Sequence, residues 1–147
     1  MSLDGYYIED LTEGMTAVFG KTITDADILM FAGVSGDTNP VHLNEEFASG
    51  TAFQGRIAHG MLTASLISTV LGTKLPGPGC IYLSQTLKFM APVRAGDTVR
   101  AEVKITAIDR ERRRVTFATV CSVGGKAVLE GEALTMVPRR PAPAPAA

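Results

Sequence analysis

Ile57-Ala58-His59-Gly60-Met61-Leu62-Thr63-Ala64-Ser65-Leu66-Ile67-Ser68-Thr69-Val70-Leu71-Gly72 is the stretch on which the fold turns. Met61, Leu62, Ala64, Leu66, Ile67, Val70 and Leu71 occupy nearly every face at helical spacing, so the periodicity predicts a helix over 57–71 that is covered on most sides. No Asp, Glu, Lys or Arg interrupts 57–73. That run is shorter than the ~20 residues a bilayer requires, and it contains His59, Ser65 and Ser68, so it reads as a buried helix and not a membrane span. The rest of the chain must wrap it.

The wrapper lies mostly downstream. A strand is expected over 81–90, and in 98–108 the residues Val99, Ala101, Val103, Ile105 and Ala107 alternate with Arg100, Glu102, Lys104 and Thr106, the pattern of a half-buried strand. Two more strands, 115–123 and 127–137, meet at Gly124-Gly125, a dipeptide suited to the positive φ angles of a tight hairpin. With a fifth strand near 16–21, one buried helix and about five mostly antiparallel strands leave few packings besides a curved sheet rolled around the helix. This is an α+β chain of the hot-dog architecture. Sheet edges and part of the helix stay uncovered in one copy, so a homodimer is expected.

The 147 residues suffice for one domain, and 46% hydrophobic with 20% charged residues is enough to build a core without disulfide or metal staples. Fourteen Lys and Arg against fifteen Asp and Glu give no general field for a polyanion, which argues against nucleic acid as a partner. The first fifteen residues carry Asp4, Glu9, Asp10 and Glu13 and no basic residue, the wrong polarity for a leader, so the expected location is cytoplasmic. Cys80 and Cys121 lack a CxxC spacing and read as small core residues. Four of the eight prolines fall in the last ten residues. The expected division is therefore a single domain over 1–137 and a disordered Pro/Ala-rich tail over 138–147.

Thr24, with Asp25 and Asp27 behind it, caps a short helix whose apolar stripe of Ile28, Phe31 and Ala32 ends at Gly33. Next comes Ser35-Gly36-Asp37-Thr38-Asn39-Pro40-Val41-His42, then a capped single turn or short helix over 44–48. An Asp and a His five apart point ~140° apart on a helix and to opposite faces of a strand. Gly36 permits a bend, and Pro40 pushes Asn39 from helical geometry, so the segment is expected to be irregular and to bring Asp37 and His42 together. A carboxylate and an imidazole that share one water can move its protons. The plain alternative is an Asx-type turn with His42 filling a pocket.

A second cluster, Gly55-Arg56-Ile57-Ala58-His59-Gly60-Met61-Leu62, opens the buried helix, where the first amides have no intrahelical partner and the dipole favours negative charge. Gly60 would let a thioester oxygen approach those amides, or it serves only helix–sheet contact; His59 is read as a support. Ser65 and Ser68 are mid-helix serines suited to back-bonding, with Ser68 a secondary site candidate. The run from Asp109 to Arg114 reads as a solvated hairpin tip, against contact with a phosphate-bearing ligand. Asp37, His42 and His59 have the right types for a metal, yet no close pair has the spacing of a known binding turn.

Phe31-Ala32, Ser35-Gly36-Asp37-x-Asn39-Pro40-x-His42, Ile57-Ala58-His59-Gly60-Met61 and Phe89-x-x-Pro92-Val93-x-x-Gly96-Asp97 together resemble the MaoC-like hydratase family, within it the short (R)-specific enoyl-CoA hydratases. The resemblance runs from about Leu11 to Val137. It implies a homodimer that hydrates a trans-2-enoyl-CoA thioester to the (R)-3-hydroxyacyl-CoA, with no metal and no redox cofactor. By position, Asp37 and His42 become the catalytic pair, Asn39 orients loop or water, the Gly60 amide polarises the thioester carbonyl, and Phe89 lies near the acyl or pantetheine path. Asn44 departs from the aspartate the family often has there, which bears on local capping.

Three rival readings use the same fold. A hot-dog thioesterase often carries a carboxylate on the central helix, and an acyl-carrier-protein dehydratase typically pairs a histidine with a helix acid; 57–72 contains neither Asp nor Glu. A non-catalytic acyl-CoA-binding module would need the pocket without both proton-handling groups.

Overall fold

The computed structural model describes residues 4–146. After a 3-10 turn at Ile8–Asp10, the order is β1 (Thr16–Thr22), α1 (Asp25–Ser35), α2 (Pro40–Leu43), α3 (Glu45–Ser49), α4 (Gly60–Thr73), β2 (Ile81–Gln85), β3 (Lys88–Phe89), β4 (Thr98–Asp109), β5 (Arg114–Val123) and β6 (Lys126–Met136). The strands form one antiparallel sheet in the order β1-β4-β5-β6-β2, with β3 also on β6. α4 lies in its curve, which is the hot-dog arrangement expected from the buried helix and the alternating strands.

α4 holds by burial and not by propensity. Its 14 residues include two glycines, four β-branched threonines and valines and an isoleucine, all weaker helix formers than alanine. Leu62, Leu66, Ile67, Val70 and Leu71 are buried, and each such side chain contributes roughly 1.5–3 kcal/mol, well above those propensity losses. The receiving face is ordered by register. Ile105 sits opposite Phe117, which sits opposite Ala133, and Ala101 opposite Cys121, which sits opposite Leu129. All six are buried, so period-two alternation in β4 and β5 delivers one apolar surface to the helix.

Several boundaries depart from the sequence expectations. The strand expected over 81–90 is broken: the pairing with β6 skips Leu83 between Tyr82 and Ser84, and β2 stops at Gln85. Thr86 then bonds Glu132 with both its amide (2.9 Å) and its hydroxyl (3.0 Å). A bulge of this kind bends a strand and raises its twist, which is what a sheet curling around a helix needs at its edge. α1 continues two residues past Gly33 and ends at Gly36, which takes the left-handed conformation (φ 77°). α4 starts at Gly60, three residues later than periodicity suggested, because Ile57 and Ala58 use their amides on Val41 and Val93. The 124–125 hairpin turn has the two positive φ angles expected of it, 57° and 82°.

The segments around Ile8 and Pro138 meet. Ile8 donates to the Pro138 carbonyl (2.9 Å), Arg139 to that of Glu111 (2.6 Å), and the Arg140 amide to Glu9 (3.0 Å), so packed backbone reaches three residues past Val137. That amide holds the Glu9 carboxyl below the usual carboxylate range. Among the described residues, no helix is long and apolar enough to cross a membrane.

Cys121 faces α4 with no exposed surface, and burial pushes its thiol up to about 12; Cys80 is half-buried and raised less. Near the ordinary thiol pKa of ~8.5, an aromatic disulfide reagent should therefore label Cys80 alone in the native protein, and Cys121 only after denaturation. Rapid native labelling of Cys121 would contradict its inward placement on β5.

Candidate active site

The turn between α1 and α2 is closed by its own side chains. Ser35 donates its hydroxyl to the Phe31 carbonyl (2.6 Å) and accepts the Asp37 amide (3.1 Å). Asp37 Oδ1 accepts the Asn39 amide (3.2 Å), and Asn39 Oδ1 accepts the amide of Val41 (3.1 Å). Asn39 is thereby the N-cap of α2, with Pro40 in the first helical position, so His42 stands on one helical turn and not in irregular chain. The sequence expectation needs correcting there: Pro disfavours helix before itself but is well suited to begin one.

Two imidazole–carbonyl hydrogen bonds cross between this segment and the approach to α4. His42 Nδ1 lies 2.8 Å from the Ile57 oxygen, and His59 Nε2 lies 2.9 Å from the Asp37 oxygen. A carbonyl only accepts, so each of those nitrogens carries a hydrogen, and the lone pairs of the neutral rings sit on His42 Nε2 and His59 Nδ1. The rings stack at 3.9 Å and 28°, and Phe31 tilts against His59 at 4.8 Å. His59 Nδ1 is sealed from solvent and has no partner among the described residues, whereas His42 Nε2 is not sealed. One donor atom from each of Asp37, His42 and His59 lies within 4.8 Å of the others. The structure thus brings the acid and the imidazole of the loop together, with Asp37 exposed and His42 buried.

The start of α4 adds donors. Leu62 and Thr63 turn their amides to the His59 carbonyl (3.1 and 3.3 Å), while those of Gly60 and Met61 have no partner among the described residues. A Cβ at Gly60 would come within 2.6 Å of the Phe89 ring, so only glycine leaves both ring and helix start in place. A cavity of about 440 Å³ opens beside it, lined by Asp37, His59, Gly60, Met61, Phe89 and Leu129 among others. His42 is stacked on His59, with a donor atom within 4.8 Å of the Asp37 carboxylate that lines this cavity.

The remaining candidates separate. Phe89 lines the cavity, whereas Asn39 acts through the cap and does not. Ser68 is exposed on α4, ~12 Å along the helix from Gly60 at 1.5 Å per residue, and is not on the cavity wall. Ser65 back-bonds to Leu62 (2.6 Å). In the basic run, Arg110 binds the carbonyls of Ile8 and Leu11 and Arg114 that of Arg112, the behaviour of a hairpin tip. Sequence reasoning missed Thr63, a buried cavity-wall threonine whose hydroxyl has no partner among the described residues, because it sits inside an apolar run. It also missed Arg56, whose Nε donates to the His42 carbonyl (2.7 Å); the residue stood in the quoted cluster, but a backbone acceptor leaves no trace in sequence.

The family described as MaoC like domain matches residues 10–126. The chain is 58% identical over 135 residues to the (R)-specific enoyl-CoA hydratase of Rhodospirillum rubrum, covering 92% of this chain and 94% of that one. It is 54% identical over 134 residues to the 3-hydroxybutyryl-CoA dehydratase of Methylorubrum extorquens, covering 91% and 85%. Among solved structures, the (R)-hydratase from Aeromonas caviae involved in PHA biosynthesis superimposes with a TM-score of 0.85 at 44% identity, over 88% of this chain and 99% of that one. Site motifs, sheet topology and these matches agree over most of the chain, which belongs to the MaoC-like family.

Proposed function

We propose that this protein reversibly hydrates a trans-2-enoyl-CoA thioester to the (R)-3-hydroxyacyl-CoA, with Asp37 and His42 handling the protons of one water. The observation that carries the reading is the meeting of the Asp37 carboxylate and the His42 imidazole beside the unpaired Gly60 amide, at a largely apolar cavity. The Gly60 N–H, at the positive end of α4, donates to the thioester oxygen as charge builds on it. Water held by the acid and the imidazole gives its oxygen to the β-carbon, and the proton it loses is returned through the pair to the α-carbon, so hydration is proton-neutral. Phe89 and Met61 flank the acyl path. Hydrolysis of the thioester is disfavoured because α4 brings no carboxylate to the site.

The working unit is read as a cytoplasmic homodimer without metal or redox cofactor. Met61 and Phe89 on the cavity wall and Ile81 on the β2 edge are each more than half exposed in one copy, a surface that a second copy would cover.

Asp37→Asn and His42→Ala should each slow hydration of crotonyl-CoA by about 10²–10⁴-fold, the range for general acid–base groups, with circular dichroism unchanged. Near-normal turnover in either variant removes the pair. Gly60→Val should lower turnover by at least about tenfold, since it displaces Phe89 and blocks an oxyanion donor. Unchanged kinetics would take Gly60 out of the site. Dialysis against EDTA should leave the rate intact; a loss restored by zinc would instead make Asp37, His42 and His59 metal ligands.

A further inference from the structure

α2 is a single turn, and a turn of that length does not hold itself together. What holds it comes from two consecutive residues. Ile57 donates its amide to Val41 (3.2 Å) and accepts His42 Nδ1, while Arg56 donates its amide to Glu45 Oε2 (3.0 Å) and its Nε to the His42 carbonyl (2.7 Å). The far end of the same guanidinium reaches Asp25 Oδ1 (2.6 Å), in the first turn of α1. α1 leads through Ser35 to Asp37, and α2 carries His42. One side chain therefore ties together the two elements that present the acid and the imidazole.

We propose that Arg56 is a positioning residue for the hydration reaction: a strut between Asp25 and the His42 carbonyl that fixes the Asp37–His42 spacing. The inference rests on the functional reading above. Three features support it. The contact uses two different nitrogens of one planar fork, which a lysine cannot reproduce. Arg94 backs the strut by donating to the Arg56 carbonyl (3.3 Å) and to that of Phe53, and is itself held through its amide by Asp97 (2.9 Å). Finally, the ion pair is partly solvated, with Arg56 25% and Asp25 56% exposed, and pairs of that kind add little to stability, so its placement is better explained by geometry at His42.

The test is steady-state hydration of crotonyl-CoA by the full chain, with thermal unfolding measured alongside. Wild-type protein that fails to hydrate crotonyl-CoA would defeat the functional reading, independently of Arg56. Given an active wild type, Arg56→Ala should lower kcat by about ten- to hundredfold with KM within about twofold, the signature of a small misplacement of a reacting group. Arg56→Lys should fall between, and guanidinium ion at low concentration should restore part of the Arg56→Ala rate. Because the chain has only two histidines, the imidazole nitrogen spectrum reads the cause directly. The hydrogen-bonded Nδ1–H signal of His42 should broaden while that of His59 Nε2–H persists. Unchanged kcat, or a rise in KM alone, overturns the strut; the second outcome would make Arg56 a substrate-binding cation. Should Arg56→Ala not fold, Asp25→Ala decides: it leaves the His42 contact but removes the acceptor at the other end, and kcat must fall severalfold at an unchanged unfolding midpoint.

Discussion

The site depends on a reciprocal exchange of hydrogen bonds between two short stretches of chain. His42 gives its Nδ1 hydrogen to the carbonyl of Ile57, and His59 gives its Nε2 hydrogen to the carbonyl of Asp37. Because the acceptors are backbone, each bond fixes a ring, a tautomer and its contact with the partner segment at once. The Ile57 amide on Val41 closes the same link a third time. Together with the Arg56 contacts, this exchange joins the turn that carries Asp37 and the single helical turn that carries His42 to the chain leading into α4.

The exchange needs a rigid floor, which α4 and the sheet provide. His59 is the N-cap of α4, so its position is inherited from a helix buried against β4 and β5. From Leu62 onward the helix is packed into the core, which anchors its start beside the cavity. Two consequences meet there. The free amides of Gly60 and Met61 open the buried helix, and the histidine just before them bonds the acid-bearing loop. Donors arranged before the substrate arrives need no reorganisation during reaction, which is where their advantage over water lies.

How much of this could be read from the chain depended on whether a feature is periodic or relational. Alternation in Val99 to Ile105 and the all-round apolarity of 61–71 report burial directly, so helix, strands and hairpin were legible. The break near Leu83 was not, since a bulge answers the curl of the whole sheet and leaves no local mark. Asn39 is non-helical, as Pro40 requires, but the same pair also begins a helix, so the chain from Pro40 to His42 is one helical turn and not irregular. Asp37 and His42 were legible as types at a spacing that requires bending. Their carbonyl partners, and the contact of Arg56 with His42, were not, because every residue offers a carbonyl and none advertises which one is used. Ser68 is a hydroxyl on the same helix whose place, exposed and outside the cavity lining, depends on where its turn of the helix faces.

Chemically alike side chains end in unequal positions here, and the inequality follows from which nitrogen is tied. Had both rings used the same atom, their lone pairs would be equivalent in kind; instead His59 keeps its lone pair on Nδ1, sealed and unpartnered, and His42 keeps its own on Nε2, which is not sealed. A buried acceptor without a partner is costly, on the order of 1–3 kcal/mol, and the core of α4 is what offsets it. That cost argues that His59 is held for its other nitrogen, the one on Asp37, because a ring kept only to fill space would be better replaced by phenylalanine. The stacked pair thus differs in use, with one imidazole tied to the backbone of the acid-bearing turn and the other tied to the stretch of chain that leads into α4.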